Sequence, residues 1–259
     1  MPIHYEHDGE GPEVLLIQGT GIAGCGWSPQ VEGLRDAFHL AWFDNPGVGR
    51  SDGPAGGIER MVAAAVEVLD ALGWQRAHVA GHSLGGIIAQ RLALDHPSRV
   101  RSLALLNTLA RGKSAFSFSP ASLWLQTRML VGPRDARRRA FYEFVSTSPP
   151  TEERMGRLEA VFGRALCDLP PATRAQLGVL MKADHRAALA GLEVPSMVVG
   201  CMEDKPAPVS ESHLLADILG CPLHLFEGGH ALLVERPELF NDLLRAHWSK
   251  ARDDRPEEG

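Results

Sequence analysis

Four cysteines, Cys25, Cys167, Cys201 and Cys221, are scattered through 259 residues with no C-x-x-C spacing. That excludes a disulfide framework and a thiolate zinc site, and the four read as free thiols. The eleven histidines are equally dispersed and include no H-E-x-x-H, so no metal and no other cofactor is expected. No apolar run approaches the roughly 18 residues that a membrane span needs, and no membrane partner is expected. The first eight residues, Met1 to Asp8, lack the basic start and apolar stretch of a secretion signal, so a cytoplasmic location is expected. Clustered positive charge is scarce too. With a formal net charge of −6, the chain is not expected to bind nucleic acid, and its one basic cluster, Arg134 with Arg137, Arg138 and Arg139, reads as a solvated helix face.

What is present is a hydrophobic fraction of 44% against a charged fraction of 22%, the balance of a globular protein. The length suits one large α/β core with an insertion. Short β-rich runs at 14–18, 39–44, 77–81, 100–107, 196–200 and 223–226 predict strands, continuous enough in apolar residues to be buried on both faces. Between them, 58–72, 84–96, 210–219 and 237–248 carry apolar residues at helical spacing. Such alternation predicts an α/β fold, a mainly parallel sheet flanked by helices.

The alternation stops between about 110 and 189. Helical patterns at 122–131, 134–145, 152–166 and 172–182 follow one another there, separated by Pro133, Pro149-Pro150 and Pro170-Pro171. The expected division is a core made of 1–110 and 190–250, a helical cap over 111–189, and a frayed charged tail over 251–259.

Gly81-His82-Ser83-Leu84-Gly85 fits G-x-S-x-G, a tight strand-to-helix turn that lifts a serine hydroxyl above the sheet edge. In a chain with 15 serines and 27 glycines, chance gives about 0.16 such matches, so context must decide. The context is a strand before the motif and a helix after it. An acid and a histidine then follow in the order that such a site requires. Asp204, after the strand at 196–200, is the expected orienting acid, with the adjacent Glu203 as the alternative; His230, in the loop Glu227-Gly228-Gly229-His230-Ala231, is the expected general base. Ser83 would attack, His230 would take and return its proton, and Asp204 would fix the imidazole tautomer. The developing oxyanion needs donors, expected from the backbone N–H of Leu84 at a helix N-terminus and from that of Thr20 in Gln18-Gly19-Thr20-Gly21. That glycine-rich loop has neither G-x-x-x-x-G-K nor G-x-G-x-x-G, which argues against a phosphate cradle.

These residues, together with Asp44-Asn45-Pro46-Gly47-Val48-Gly49-Arg50-Ser51-Asp52, resemble the α/β-hydrolase superfamily across the whole core. The Asp44 segment is similar to the family's D-x-P-G-x-G-x-S turn, which implies structural support near the site. Length, helical cap and Leu105-Leu106-Asn107-Thr108 look most like small bacterial carboxylesterases and 3-oxoadipate enol-lactonases. The chain departs from many relatives in having Gln18-Gly19 where they have His-Gly. A serine at the elbow argues against haloalkane dehalogenases and epoxide hydrolases, whose nucleophile is an aspartate.

The expected function is hydrolysis of a carboxylic ester or lactone through an acyl-enzyme, on an apolar small-molecule substrate. Alternatives are a carbon–carbon bond hydrolase or cofactor-free lyase on the same triad, and a non-catalytic ligand receptor. Trp27 and Trp124 are candidate substrate contacts. Phe116, Phe118, Met129, Phe141, Tyr142 and Phe144 are further pocket candidates, although packing of the cap helices against one another is the favoured reading of each. Oligomeric state is left open by the sequence.

Overall fold

A computed structural model describes residues 2–115 and 120–253. Its centre is a seven-stranded sheet of β1 (Tyr5–Asp8), β2 (Glu13–Ile17), β3 (His39–Phe43), β4 (Ala77–His82), β5 (Val100–Leu106), β6 (Ser196–Cys201) and β7 (Leu223–Phe226), in the order β1-β3-β2-β4-β5-β6-β7. Every pairing is parallel except that of β1 with β3. The expected α/β class and mainly parallel sheet are therefore what the chain adopts. The strand missing from the sequence reading is β1. Its Tyr-Glu-His-Asp sequence lies partly exposed at the sheet edge, where no continuous apolar run is needed.

Both faces of the sheet are covered. Along β2, Leu15 and Ile17 point into a core shared with α2 (Ile58–Ala71) and α3 (Leu84–Asp95), whereas Val14 and Leu16 point into a second core. That second core is closed by α1 (Ser28–Leu34) and, later in the chain, by Phe240, Leu244 and Trp248. Successive residues of a strand face opposite ways, so a run apolar at every position is what a doubly covered strand requires.

Between β5 and β6 the chain forms α4 (Pro120–Leu130), α5 (Arg134–Val145), α6 (Glu152–Phe162), α7 (Thr173–Lys182) and α8 (Arg186–Leu189). After β6 come α9 (Val209–Leu219), α10 (Leu232–Glu235) and α11 (Pro237–Asp253). Two boundaries differ from the periodicity reading. Helix α6 stops at Phe162 because Gly163 adopts left-handed backbone, φ 65°, and ends it four residues early. Helix α11 runs to Asp253, taking in the first residues expected to fray; 254–259 lie outside the described residues. The basic cluster on α5 is partly neutralised by pairing: Arg134 with Asp168, and Arg138 with both Glu152 and Glu159. No helix among the described residues is long and apolar enough to cross a membrane.

The turn from β4 into α3 packs so closely on β2 that side chains do not fit. A Cβ on Gly85 would lie 2.0 Å from the carbonyl oxygen of Ile17, and one on Gly81 would lie 2.3 Å from that of Gly85. Relief would require backbone movement at the middle of the sheet. Gly85→Ala is expected to cost about 3 kcal/mol or more, on the order of 6 °C or more in melting temperature, measurable by calorimetry.

His247 on α11 is largely enclosed, and burial first, with His224 beside it second, pushes its pKa from 6.5 down to about 4. The unfolded chain therefore binds a proton at this position that the folded chain refuses. Stability from this group is complete above pH 6.5 and falls as pH drops from 6.5 towards 4. Urea midpoints measured across that window should decline with acidity, and less steeply in His247→Gln. Some slope should persist in the variant, because burial also lowers His82 and His185.

Candidate active site

Ser83 stands where β4 ends and α3 begins, with φ 56° and ψ −123°. A non-glycine residue holds such a backbone only under constraint, at about 1–3 kcal/mol. The constraint is visible: Ser83 N–H donates to the Leu106 carbonyl at 3.0 Å, and the Ser83 carbonyl accepts from Gly86 N–H at 2.9 Å and from the Thr108 hydroxyl at 2.6 Å. The side chain is left facing a cavity at the C-terminal edge of the sheet. Leu84 follows as the first residue of α3, so its N–H has no acceptor within the helix.

His230, after β7, lies on the same cavity wall. Its Nδ1 is 2.7 Å from Oδ2 of Asp204, whose side chain is fully buried. Asp204 also accepts from Asn107 Nδ2 and from Ala207 N–H, each at 2.7 Å. Three donors thus replace the water lost by a buried carboxylate. Glu203, the alternative acid, points elsewhere and accepts from Gly228 N–H at 2.6 Å. The geometry therefore brings Asp204 and not Glu203 to His230. Among the described residues, the Ser83 hydroxyl makes no hydrogen bond to His230.

The loop after β2 passes directly over the elbow: a Cβ on Gly19 would lie 3.0 Å from that of Ser83. Its N–H groups are shared out. Gly19 N–H donates to its neighbour Gln18 Oε1 and Gly21 N–H to Gln176 Oε1, both at 2.8 Å, while Thr20 N–H has no acceptor among the described residues. From below, Asn45 Nδ2 donates to the Gln18 carbonyl at 2.9 Å, and Asp44 accepts from Gly24 and Arg50 N–H at 2.7 Å each. These contacts give the Asp44 turn its supporting role.

Gln18, the departure from the common His-Gly, also faces His82, whose Nδ1 lies 3.1 Å from Gln18 Oε1 and whose Nε2 lies 3.2 Å from the His230 carbonyl. Burial, reinforced by the nearby His230, holds the His82 pKa well below the ordinary histidine range. It links the loop after β2 to the loop carrying His230.

The cavity encloses about 250 Å³ and is walled by the elbow, the two loops and the helices between β5 and β6. Ile22, Leu109, Phe141, Phe144, Phe162 and Leu166 are among its apolar walls, and no Asp, Glu, Lys or Arg lines it among the described residues. Met129, Phe141 and Phe144 line it, whereas Tyr142 packs away and donates to Glu235 Oε1 at 2.9 Å. Phe116 and Phe118 lie outside the described residues.

Two substrate-contact expectations are corrected. Trp27 ends a 3-10 helix, Gly24–Trp27, that turns its ring into the core with Val14, Leu34 and Phe38, fully buried and off the cavity. Trp124 is 66% exposed on α4 and does not line the cavity.

Several residues that build the site carry no motif of their own. Asn107 reaches Asp204 from the end of β5 with φ 46°, a left-handed conformation that Asn tolerates. The helices between β5 and β6, with the residues that join them, grip both loops. Arg164 Nε and Gln176 Oε1 hold Gly21, Ala231 N–H donates to the Val145 carbonyl at 2.7 Å, and the Ser146 hydroxyl joins Tyr142 on Glu235.

Comparison with known proteins fits this architecture. Residues 12–237 match the family model for the alpha/beta hydrolase fold. A putative carbamate hydrolase, RutD, of Variovorax paradoxus is 35% identical over 94% of this chain and 95% of its own. A putative non-heme bromoperoxidase, BpoC, of Mycobacterium tuberculosis is 30% identical over 93% of this chain and 95% of its own. The crystal structure of that BpoC superposes with a TM-score of 0.83 at 25% identity, covering 97% of each chain. The enol-lactonase of Burkholderia xenovorans superposes at 0.79 and 25% identity, covering 95% of this chain and 96% of that one. In sequence, sheet order and elbow geometry alike, the chain belongs to the α/β-hydrolase family.

Proposed function

We propose that this protein is a serine hydrolase that cleaves carboxylic esters or lactones bearing apolar groups, through an acyl-enzyme on Ser83, His230 and Asp204. The observation that carries the reading is the His230–Asp204 hydrogen bond of 2.7 Å on the wall of a cavity that also exposes the strained Ser83. In this mechanism a modest rotation brings His230 Nε2 to the Ser83 hydroxyl when substrate binds. His230 takes the proton as Ser83 attacks the ester carbonyl and returns it to the departing alkoxide. Water then repeats the sequence on the acyl-enzyme, with His230 again as base. Asp204 keeps the proton on Nδ1 and stabilises the imidazolium. The Thr20 and Leu84 N–H groups receive the oxyanion of both tetrahedral intermediates.

The helical segment 111–189 acts as a cap that sets substrate choice. Its apolar walls favour acyl or alcohol chains of several carbons, each buried methylene contributing up to ~0.8 kcal/mol. They offer no counter-charge to a carboxylate-bearing lactone, and a small polar carbamate would bury little apolar surface against them. The enol-lactonase and carbamate hydrolase named among the similar proteins thus support acyl-transfer chemistry more than they support a particular substrate.

Steady-state hydrolysis of p-nitrophenyl esters from acetate to octanoate tests the reading. Wild type is expected to turn them over with kcat/KM rising about two- to fourfold per added carbon until the cavity is full. Ser83→Ala should lower kcat by on the order of 10⁴ with the fold intact. Full turnover in that variant would remove the assignment. Asp204→Asn should lose most activity and Glu203→Gln little; the opposite pattern would transfer the orienting role to Glu203.

A further inference from the structure

Gly21 has both backbone polar groups bound by side chains of the helical insertion. Its N–H donates to Oε1 of Gln176 on α7 at 2.8 Å, and its carbonyl accepts from Nε of Arg164, just beyond α6, at 2.8 Å. The fit is tight as well as bonded: Gly21 adopts φ +66°, and a Cβ there would lie 2.9 Å from the Thr173 hydroxyl and 3.2 Å from Pro170. The preceding residue is Thr20, whose N–H has no acceptor among the described residues. On the core side the same loop is tied through Gln18 to Gly19 N–H and Asn45. The Thr20 peptide is therefore suspended between one anchor in the sheet core and one in the insertion.

Arg164 is unusual for its setting. Its guanidinium is largely buried over the rings of Phe141 and Phe162, 5.4 and 6.0 Å from their centroids. It spends its other hydrogen bonds on the carbonyls of Ala165 and Asp168, at 3.0 and 2.8 Å. No carboxylate stands within ion-pair distance of it among the described residues, the Asp168 carboxylate being paired with Arg134. A largely buried cation without an ion-pair partner is costly, so its hydrogen bonds to backbone carbonyls, that of Gly21 among them, carry weight. Gln176 is fully buried, so replacing its carbonyl would strand the Gly21 N–H.

We propose that Gln176 and Arg164 are positioning residues that set the oxyanion donor of Thr20, so that docking of the helical insertion and assembly of the oxyanion hole are one event. This rests on the serine-hydrolase reading above. Neither residue touches substrate in this account; both act through Gly21.

The test uses Gln176→Leu, Arg164→Met and Arg164→Lys in the full chain, with exposed Arg174→Gln on α7 as control and Ser83→Ala alongside. Two pairs of quantities are measured: kcat and KM for an ester that wild type turns over, and inhibition constants for a trifluoromethyl ketone and the matching methyl ketone. The fluorinated ketone adds Ser83 across its carbonyl and places an oxyanion in the hole; the methyl ketone stays largely unadducted. Expected for Gln176→Leu and Arg164→Met is a 10- to 100-fold fall in kcat with KM within threefold. The trifluoromethyl ketone should weaken by a similar factor and the methyl ketone by less than threefold. Arg164→Lys, which keeps charge and bulk but loses the fork, should fall three- to tenfold with the same ketone pattern, and it carries the test if Gln176→Leu does not fold.

Wild-type kcat in the folded variants would overturn the proposal, as would losses confined to KM or equal for both ketones. Arg174→Gln should match wild type; an equal loss there would also overturn it. Absence of Ser83-dependent turnover in wild type would remove the serine-hydrolase reading and this proposal together, whereas the other negative outcomes leave that reading in place.

Discussion

Holding Ser83 at a positive φ is the constraint on which the rest of the site depends. The strain of about 1–3 kcal/mol is sustained because two neighbouring segments, β2 and β5 with the residues after it, converge on the turn. β2 presses against Gly85, β5 supplies the Leu106 carbonyl, and Thr108 bonds the Ser83 carbonyl. The turn needs glycine at two positions for close approach alone. A parallel sheet with its central strands buried on both faces provides that convergence, since β2, β4 and β5 are adjacent and are covered above and below.

The second demand is electrostatic. Asp204 is buried and offers its oxygens to His230, Asn107 and Ala207, which together take the place of bulk water. In the proposed mechanism that arrangement keeps the carboxylate ready to stabilise a protonated His230. The cavity beyond is otherwise apolar, so the few polar groups in it act through a weakly screening medium and their placement weighs more than it would in water.

Much of this was legible in the sequence because the relevant signals are local. The apolar runs gave six of seven strands, and the glycine spacing around Ser83 located the turn. The acid and histidine followed strands in the order that the fold demands. Where local pattern is silent, the reading stopped. β1 is a short polar edge strand held by its pairing with β3, and no periodicity announces it. Trp27 lies close in the chain to the loop of Thr20, but one turn of 3-10 helix sends its ring into the core with Val14, Leu34 and Phe38. Asn107, His82, Arg164 and Gln176 act through contacts between residues 64 to 155 positions apart, and such pairs leave no mark in a single sequence.

The grip of the helical insertion on both loops bears on how this molecule can change over evolutionary time. Arg164 and Gln176 hold the loop of Thr20, while Val145, Tyr142 and Ser146 hold the segment that follows His230. Helices so attached are not interchangeable parts: replacing them together would unfasten two loops at once. New specificities are more accessible through single replacements in the cavity wall, at positions such as Phe141, Phe144 or Leu166, whose side chains border the space and make none of these hydrogen bonds. The walls are free to drift while the fastenings stay.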